Sequence, residues 1–331
     1  MNFLIIGLGS MGKRRIRCLK SLGYNKIVGF DIDQERAADV GKEYLIEIHK
    51  QEVSKIIEEQ EIDGVIISTS PDQHTKYIEL CIERQVSCFV EASVTDIEGL
   101  KSANNRANKM NVLVCPSCTM KYYNGPKRIK ELIANEKIIG KCLYFNYVTG
   151  QYLPDWHPWE DIKDYYVSNR ETGGARELVP FELTWLNDTF GKASVINAVK
   201  KKLSDMDADI DDFYNFTLQY DNIIGNITIE VLSRPVATRK LIAVGSQGVL
   251  NYCGSTNKII VENVGDKERI EIELEKGNVQ ESYINPEEPY ISEIKDFIDA
   301  IKYPNTKNFT SSLHEDICLL ELLEKIEKNA K

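Results

Sequence analysis

Three glycines near the amino terminus have the spacing of a phosphate-binding turn. Residues 7–12 read GLGSMG, a GxGxxG pattern between a predicted strand, NFLIIG, and a predicted helix, MGKRRIRCLKSLG. The first glycine permits a tight turn, the second lets a pyrophosphate approach the backbone, and the third allows close packing of helix on strand. The amino terminus of the helix offers N–H groups and a positive dipole end to phosphates. The pattern therefore predicts a dinucleotide site formed by Gly7, Gly9, Ser10, Met11 and Gly12.

An acidic side chain follows the second predicted strand, KIVGFDID. Asp31 stands about 20 residues after the glycine turn, where a carboxylate accepts hydrogen bonds from ribose hydroxyls and repels a 2′-phosphate. Asp31 therefore favours NAD as the cofactor in preference to NADP. Asp33 is the competing ribose acid. Arg14 and Arg15 would suit a 2′-phosphate, but they lie inside the first predicted helix and are expected to be solvated.

The first 120 residues alternate predicted strands with predicted helices. Apolar runs without polar alternation, separated by helices of about 10–15 residues, indicate a parallel sheet that is covered on both faces. The runs are NFLIIG, KIVGFDID, GVIISTS, SCFVEAS and NVLVCPS. We predict an α/β fold that begins with a Rossmann domain over residues 1–120.

The pattern changes after residue 120, where strands alternate apolar and polar residues. Examples are KCLYFNYVTG, DFYNFTLQYD and IIGNITIEVLS, with hairpin turns predicted at YDNIIG and GSQG. We predict a large, mostly antiparallel open sheet in a second, α/β domain for substrate binding and oligomerisation over residues 121–331. Two amphipathic helices, PYISEIKDFIDAIKYPN and HEDICLLELLEKIEKN, end the chain. An alternative is that these helices pack back on the Rossmann domain.

Composition narrows the class of protein. Hydrophobic residues make up 42% and charged residues 28% of the chain, as in ordinary globular proteins. The net charge of −10 argues against non-specific binding to nucleic acid or anionic membranes. No apolar stretch approaches the ~20 residues of a membrane span, and no signal peptide is evident, so we expect a cytoplasmic protein. Cys115 and Cys118 form one CxxC without a second ligand pair, so no metal site is predicted.

Several further motifs follow the glycine turn in order. They are STSPDQH at 68–74, FVEAS at 89–93, GQYLPDWHPWED at 150–161 and GGARELVPFELTWLNDTFG at 173–191. With the glycine turn, they resemble the Gfo/Idh/MocA family of NAD(P)-dependent oxidoreductases over essentially the whole chain. The resemblance implies hydride transfer at a hydroxyl or keto carbon of a sugar, sugar nucleotide or cyclitol. It also implies a homodimer or homotetramer formed through the open sheet.

Carried over by motif, the resemblance adds cofactor contacts. It implies that Ser70, Pro71 and His74 lie under the cofactor, in the loop after the fourth strand. The alternative to a cofactor contact is that His74 simply opens the following helix, TKYIELC. Glu91 matches the acid of the family's Glu-Lys-Pro motif, which lies near the nicotinamide ribose.

The sequence departs from the family where the family transfers protons. Ala92 occupies the position of the lysine and Ser93 that of the proline. In the second domain, Phe181 stands where relatives carry a histidine, and Thr184 stands where they carry an aspartate. Both usual proton-transfer groups are therefore absent, so oxidoreduction at this site requires replacements.

Three residues are the candidates for those replacements. Glu182 is predicted as a base with a desolvated carboxyl, Lys121 as the cation that polarises a carbonyl, and His157 as an acid/base between two tryptophans. Tyr152, Arg176 and Glu177 complete a predicted polar cluster. Each candidate has a structural alternative: an ion pair with Arg176 for Glu182, a solvated side chain for Lys121, and a packed loop for His157.

Two functions of different classes follow from these observations. The first is an NAD-dependent oxidoreductase of carbohydrates with a non-standard acid/base. The alternative is an NAD-binding protein that has lost hydride transfer and acts as a binding or regulatory partner in carbohydrate metabolism. Retained aromatic and polar residues around His157 favour the enzyme.

Overall fold

Short apolar strands without alternation build the first sheet of the protein, described here by a computed structural model that covers residues 1–265, 269–281 and 283–331. The strands of this sheet are β1 (Phe3–Ile6), β2 (Ile27–Phe30), β3 (Glu47–Ile48), β4 (Gly64–Ile67), β5 (Ser87–Val90) and β6 (Val114–Pro116). They are all parallel, in the order β3-β2-β1-β4-β5-β6. Because β1 lies inside the sheet, all four of its side chains are fully buried.

Helices connect these strands, as the sequence predicted. They are α1 (Ser10–Ser21), α2 (Gln34–Tyr44), α3 (Val53–Glu59), α4 (His74–Glu83) and α5 (Ile97–Met110). The strand order is that of a Rossmann fold, which confirms the predicted fold class. The elements β3 and α3 were not predicted, because a two-residue edge strand is too short to show a hydrophobic period.

Alternation of apolar and polar residues produces the second, larger sheet. Its strands are β7 (Cys142–Gly150), β8 (Ala193–Lys201), β9 (Phe213–Tyr220), β10 (Ile223–Glu230), β11 (Thr238–Gly245), β12 (Gly248–Cys253), β13 (Lys258–Asn263) and β14 (Ile270–Glu273). The order is β14-β13-β12-β11-β7-β10-β9-β8. All pairs are antiparallel except β7 with β10, and the predicted hairpins join β9 to β10 and β11 to β12.

The second sheet has one covered face and one open face. The helices α6 (Asn124–Ala134), α7 (Glu136–Ile139) and α8 (Ala175–Phe190) belong to this part of the chain, and α8 packs on β9 and β10. Along β7, the buried Phe145 and Tyr147 alternate with the partly exposed Tyr144 and Val148. The open face therefore carries apolar side chains.

Two helices close the chain, and the first of them belongs to the Rossmann part. They are α9 (Glu288–Lys302) and α10 (Leu313–Asn329), and α9 packs against α1. The chain divides into a first unit of Met1–Thr119 with Glu287–Cys318, and a second unit of Met120–Pro286 with Leu319–Lys331. Within the described residues, no helix is both long and apolar enough to span a membrane.

Candidate active site

The glycine turn has the geometry that its spacing predicts. Gly7 has φ +87°, and a Cβ there would lie 2.5 Å from the carbonyl oxygen of Ser68. A Cβ on Gly12 would lie 2.0 Å from the carbonyl oxygen of Gly7. Both positions therefore require glycine, because any side chain would collide with fixed backbone.

Gly9 differs from the other two glycines. Among the described residues, no atom lies within 4 Å of a Cβ built on Gly9, which is the residue that precedes α1. No described side chain caps α1, whose first turn is formed by Ser10 and Met11. The turn thus leaves accessible backbone at the positive end of a helix, which suits the pyrophosphate of a dinucleotide.

Asp31 joins the end of β2 to the glycine turn. Its nearly buried carboxylate accepts hydrogen bonds from the backbone N–H of Leu8 at 2.7 Å and of Asp33 at 2.8 Å. The carboxylate of Asp33 instead accepts from the N–H groups of Glu35 and Arg36 and caps α2. Asp31 is therefore the acid held beside the turn, at the position where a ribose is bound in this fold.

The loop after β4 lies next to the same turn. Ser70 precedes a short 3₁₀ helix that begins at the buried Pro71. His74 opens α4 and is almost completely buried, with its Nε2 3.1 Å from the backbone carbonyl oxygen of Thr69. Burial lowers the pKa of His74, so the imidazole is neutral. The bond to Thr69 supports the helix-opening alternative for this residue.

The carboxylate of Glu91 is bound by an arginine of α1. Arg15 donates from Nε and Nη2 to the two oxygens of Glu91, each at 2.7 Å, and from Nη1 to Glu293 at 2.9 Å. Ser68 donates a further bond of 3.0 Å to Glu91. Glu91 therefore connects the helix that follows the glycine turn to the end of β5.

The expectation that Arg14 and Arg15 are solvated is wrong. Arg15 is fully buried and Arg14 is 3% exposed, with its Nε 2.9 Å from Glu287. The error arose because their partners, Glu287 and Glu293, lie more than 270 residues away in sequence, next to or within α9. A local helix pattern cannot reveal partners at that separation.

Glu182 lies in the second unit inside a fully bonded network. It accepts from the Tyr147 hydroxyl at 2.6 Å and from Trp185 Nε1 at 3.0 Å, and it is ion-paired with Arg239 of β11. The structural alternative for Glu182 was an ion pair with Arg176, but the cation paired with Glu182 is Arg239, and Arg176 pairs with Glu327 at 2.9 Å. A carboxylate that is fully buried and neutralised in this way fits a structural role better than the predicted role of base.

His157 has the surroundings of an oriented imidazole. Its Nδ1 lies 2.6 Å from Glu160, and its ring stacks on Trp159 at 4.9 Å and on Tyr165 at 4.7 Å. Burial lowers the pKa of His157, and the carboxylate of Glu160 opposes that fall. A carboxylate bound to Nδ1 fixes the tautomer, so that Nε2 can take or give a proton.

The rest of the predicted polar cluster is divided among different contacts. The guanidinium of Arg234 lies over the ring of Tyr152, with its Cζ 4.6 Å from the ring centre. Glu177 accepts from the Tyr166 hydroxyl at 2.8 Å, and burial raises its pKa to about 7. Lys121 lies, half-buried, in a short 3₁₀ helix over Thr119–Tyr122.

Ser93 is buried beside an unpredicted acid. Asp316 of α10 is 4% exposed, and burial raises its pKa to about 7 while neighbouring Ser93 opposes the rise. Ala92, which precedes Ser93, offers no proton-transfer group. The acid Asp316 could not be found from sequence, because nothing in the helix pattern HEDICLLELL distinguishes it from a solvated residue.

The glycine turn, Asp31 and the strand order define a dinucleotide-binding Rossmann domain. Residues 1–117 match the model described as "Oxidoreductase family, NAD-binding Rossmann fold", GFO_IDH_MocA. This match over the first 117 residues agrees with the resemblance predicted from the motifs. No curated protein sequence matches the chain significantly.

Solved structures share the fold over the whole chain. An oxidoreductase from Agrobacterium radiobacter in complex with NAD+, L-tartaric acid and magnesium has a TM-score of 0.86 at 13% identity, covering 100% of this chain and 96% of that one. Levoglucosan dehydrogenase in complex with NADH and levoglucosan has a TM-score of 0.84 at 16% identity, covering 100% and 97%. UDP-N-acetylglucosamine 3-dehydrogenase from Acidithiobacillus ferrooxidans has a TM-score of 0.76 at 15% identity, covering 100% and 97%.

Proposed function

We propose that the protein is an NAD-dependent oxidoreductase that acts on a hydroxyl or keto group of a sugar, sugar nucleotide or cyclitol. The observation that carries the proposal is the glycine turn, with accessible backbone at Gly9 and the carboxylate of Asp31 held beside it by the Leu8 N–H. The substrate class is supported by structural neighbours that act on levoglucosan and on a UDP-linked sugar.

The charge at Asp31 supports NAD in preference to NADP as the cofactor. A carboxylate at the end of β2 accepts from ribose hydroxyls and repels a 2′-phosphate. Arg36 lies nearby, but its guanidinium is 3.4 Å from Asp31 and 3.3 Å from Asp33, so its charge is already shared by two carboxylates. The other proposed cofactor contacts are Ser70, Pro71, His74 and Glu91, as the motif comparison implies.

His157 is the proton-transfer group that the geometry supports best. When bound, the nicotinamide supplies or accepts the hydride. Glu160 would hold Nδ1–H of His157, leaving Nε2 to exchange a proton with the reacting hydroxyl oxygen. Lys121 is a further candidate, since an ammonium polarises a carbonyl. Glu182 would support the fold of the second unit through its pair with Arg239.

The alternative function is a cofactor-binding protein without hydride transfer. The observation that favours it is the methyl group of Ala92 in place of the usual lysine, together with Phe181 in place of the usual histidine. Such a protein would keep the glycine turn and the carbohydrate site, and would report their occupancy to a partner.

The open face of the large sheet is our proposed homodimer or homotetramer interface. Tyr144, Val148 and Ile242 are between 37% and 44% exposed on neighbouring strands of this face. Light scattering after gel filtration should show an oligomer, and Ile242→Lys should reduce it to a monomer. We place the protein in the cytoplasm, because buried free thiols such as Cys18, Cys81 and Cys115 suit a reducing compartment.

The fluorescence of bound NADH tests the proposed activity. Purified protein should bind NAD(H), and a panel of sugars, cyclitols and sugar nucleotides should change the redox state of the bound cofactor. If the cofactor binds but no member of the panel changes its redox state, the oxidoreductase is excluded in favour of the alternative. If neither NAD nor NADP binds, both functions are excluded.

A further inference from the structure

Three polar atoms between residues 156 and 177 lack the partners that buried polar atoms normally have. They are Nε1 of Trp156, the hydroxyl of Tyr165 and Oε2 of Glu177, and none has a hydrogen-bond partner among residues 1–265, 269–281 and 283–331. A buried polar atom without a partner costs about 1–3 kcal/mol. Several in one stretch of chain call for an explanation, and a bound ligand that bonds to them supplies one.

Ring contacts connect Tyr165 to His157 and, through Tyr166, to Glu177, while Trp156 precedes His157 in the chain. The rings of His157 and Tyr165 stack with an interplanar angle of 21°, and Tyr165 makes an edge contact with Tyr166 at 6.0 Å. Tyr166 in turn donates its hydroxyl to Glu177 at 2.8 Å. Burial raises the pKa of Tyr165, and the charges of Glu160 and Glu177 raise it further. Both carboxylates are therefore within electrostatic reach of the unpartnered hydroxyl.

The chemistry of the three groups is that of hydroxyl recognition. An indole N–H donates, whereas a phenol and a carboxylic acid can each donate and accept. The exposed ring of Trp159, stacked on His157, adds an apolar surface next to them. Aromatic faces and paired donors and acceptors together suit the alternating C–H and O–H groups of a sugar ring.

We propose that Trp156, Tyr165 and Glu177 form a hydrogen-bonding subsite for the hydroxyl groups of an uncharged sugar or cyclitol, beside the rings of His157 and Trp159. The inference rests on the proposed function, because it assigns the part of the substrate that lies next to His157. It narrows the substrate class, since the carboxylates of Glu160 and Glu177 both act on the Tyr165 hydroxyl. A carboxylate or phosphate on the bound part of the ligand would be repelled there.

The protonation state of Glu177 determines what it can offer a ligand hydroxyl. Burial raises its pKa to about 7, and the bond from Tyr166 opposes the rise. Around neutral pH much of Glu177 is therefore an uncharged acid, which can donate to a hydroxyl of the ligand. An anionic ligand would favour that neutral form and would still meet the charge of Glu160.

Titration of the full chain with NAD present tests the subsite directly. The probes are levoglucosan and myo-inositol as uncharged ligands, and glucuronate as the matched anion, followed by ligand-detected NMR and calorimetry at neutral pH. We expect an uncharged probe to bind and glucuronate to bind more weakly. Tyr165→Phe keeps the ring on His157 and removes one hydrogen bond, so binding should weaken about three- to tenfold.

Two further variants complete the test. Glu177→Gln keeps a neutral donor and acceptor, so binding should stay within about threefold, whereas Glu177→Leu should lose at least about tenfold. Tyr220→Phe is the matched control, because the Tyr220 hydroxyl is also buried and without a partner in the described residues but lies in β9. Its binding should equal that of the wild type.

The outcomes separate the subsite from the proposed function. Wild-type binding in both Tyr165→Phe and Glu177→Leu overturns the subsite, as does glucuronate binding more tightly than both uncharged probes. Failure of both uncharged probes to bind at millimolar concentration also overturns it. Sugar binding that is weakened by Tyr165→Phe, while no member of the panel of sugars, cyclitols and sugar nucleotides changes the redox state of the cofactor, supports the subsite and excludes the oxidoreductase. Turnover with a KM unchanged in both Tyr165→Phe and Glu177→Leu supports the oxidoreductase and overturns the subsite.

Discussion

Arg15 holds the carboxylate of Glu91, 76 positions away in the sequence, through two parallel hydrogen bonds of 2.7 Å. The bidentate geometry fixes the end of β5 against the helix that follows the glycine turn. Both Glu91 oxygens thus have protein donors. Glu91, which precedes Ala92, is therefore a rigid anchor, and its pair with Arg15 positions the start of the loop that follows β5.

Loss of the buried cation should destabilise the first unit strongly. Arg15→Met leaves Glu91 and Glu293 without their shared partner, and breaking a buried pair costs about 3–5 kcal/mol. Urea unfolding measures the change. Arg128→Met is the control, because Arg128 forms an exposed pair with Glu131 worth about 0–1 kcal/mol. Equal losses in the two variants would contradict the anchoring role of Arg15.

Asp31 should determine which cofactor binds. Asp31→Asn keeps an acceptor for the Leu8 N–H but removes the negative charge, so NAD should bind more weakly and NADP relatively better. Fluorescence titration with NADH and NADPH measures the ratio of the two affinities. Asp33→Ala removes a helix cap and should lower stability without changing that ratio. A ratio that responds to Asp33 and not to Asp31 would assign the ribose contact to Asp33.

Glu182→Gln distinguishes a structural carboxylate from a base. Because it leaves Arg239 buried without its counter-charge, we expect a loss of about 3–5 kcal/mol in unfolding free energy. Loss of a general base lowers turnover by about 10²-fold or more. Turnover per folded molecule of Glu182→Gln should fall far less than that. Unchanged stability with such a loss of turnover would restore the role of base. Tyr147→Phe, which removes one bond to the same oxygen as Trp185, is the milder companion variant.

Glu160 should set the pH at which His157 acts. Its carboxylate raises the pKa of His157 against the effect of burial, so Glu160→Gln should lower that pKa. If neutral His157 is the base for oxidation, the acidic limb of the pH–kcat profile moves to lower pH. His157→Asn should remove that limb together with about 10²-fold or more of kcat. A limb that stays in place in Glu160→Gln would mean that another group titrates.

Asp316 should make stability fall as pH rises. Its pKa is about 7 in the folded protein and about 3.9 when unfolded, so between these values the folded state keeps a proton that the unfolded state has lost. The contribution is full below about pH 4 and is lost as pH rises to about 7, by up to roughly 4 kcal/mol. Asp316→Asn stays neutral, so its stability relative to the wild type should grow between pH 5 and pH 8, as measured by urea unfolding. Asp39→Asn, at an exposed position in α2, should show no such trend.

The arrangement of elements was predictable because each follows a local pattern. The apolar runs indicated the parallel strands, alternation indicated the second sheet, and the spacing of Gly7, Gly9 and Gly12 indicated the turn between β1 and α1. The edge strand β3 was not predicted, because the two partly exposed residues Glu47–Ile48 are too few to show a hydrophobic period.

The contacts of the candidate site were not predictable in the same way. In the sequence, Arg15 has the pattern of a solvated helix residue, but in the fold it is paired with Glu293. Glu182 has no evident partner in the sequence, but in the fold it is paired with Arg239 of β11. Both pairs connect residues on different elements, so no window of sequence contains the information. Glu177 and Asp316 have pKa values near 7 for the same reason, since burial depends on the whole packing.

The role of Glu293 also limits how the protein can be divided. Its carboxylate binds Arg15, the backbone N–H of Cys118 and the hydroxyl of Thr119, yet it belongs to α9, far along the chain. A truncated chain that ended at residue 119 would contain the glycine turn but would lack this partner. Recombination between relatives that exchanged only the first 119 residues would likewise carry one part of the ion-pair network without the other. The first unit is therefore one module in space that is encoded by two separate stretches of the gene, and these two stretches must be inherited together.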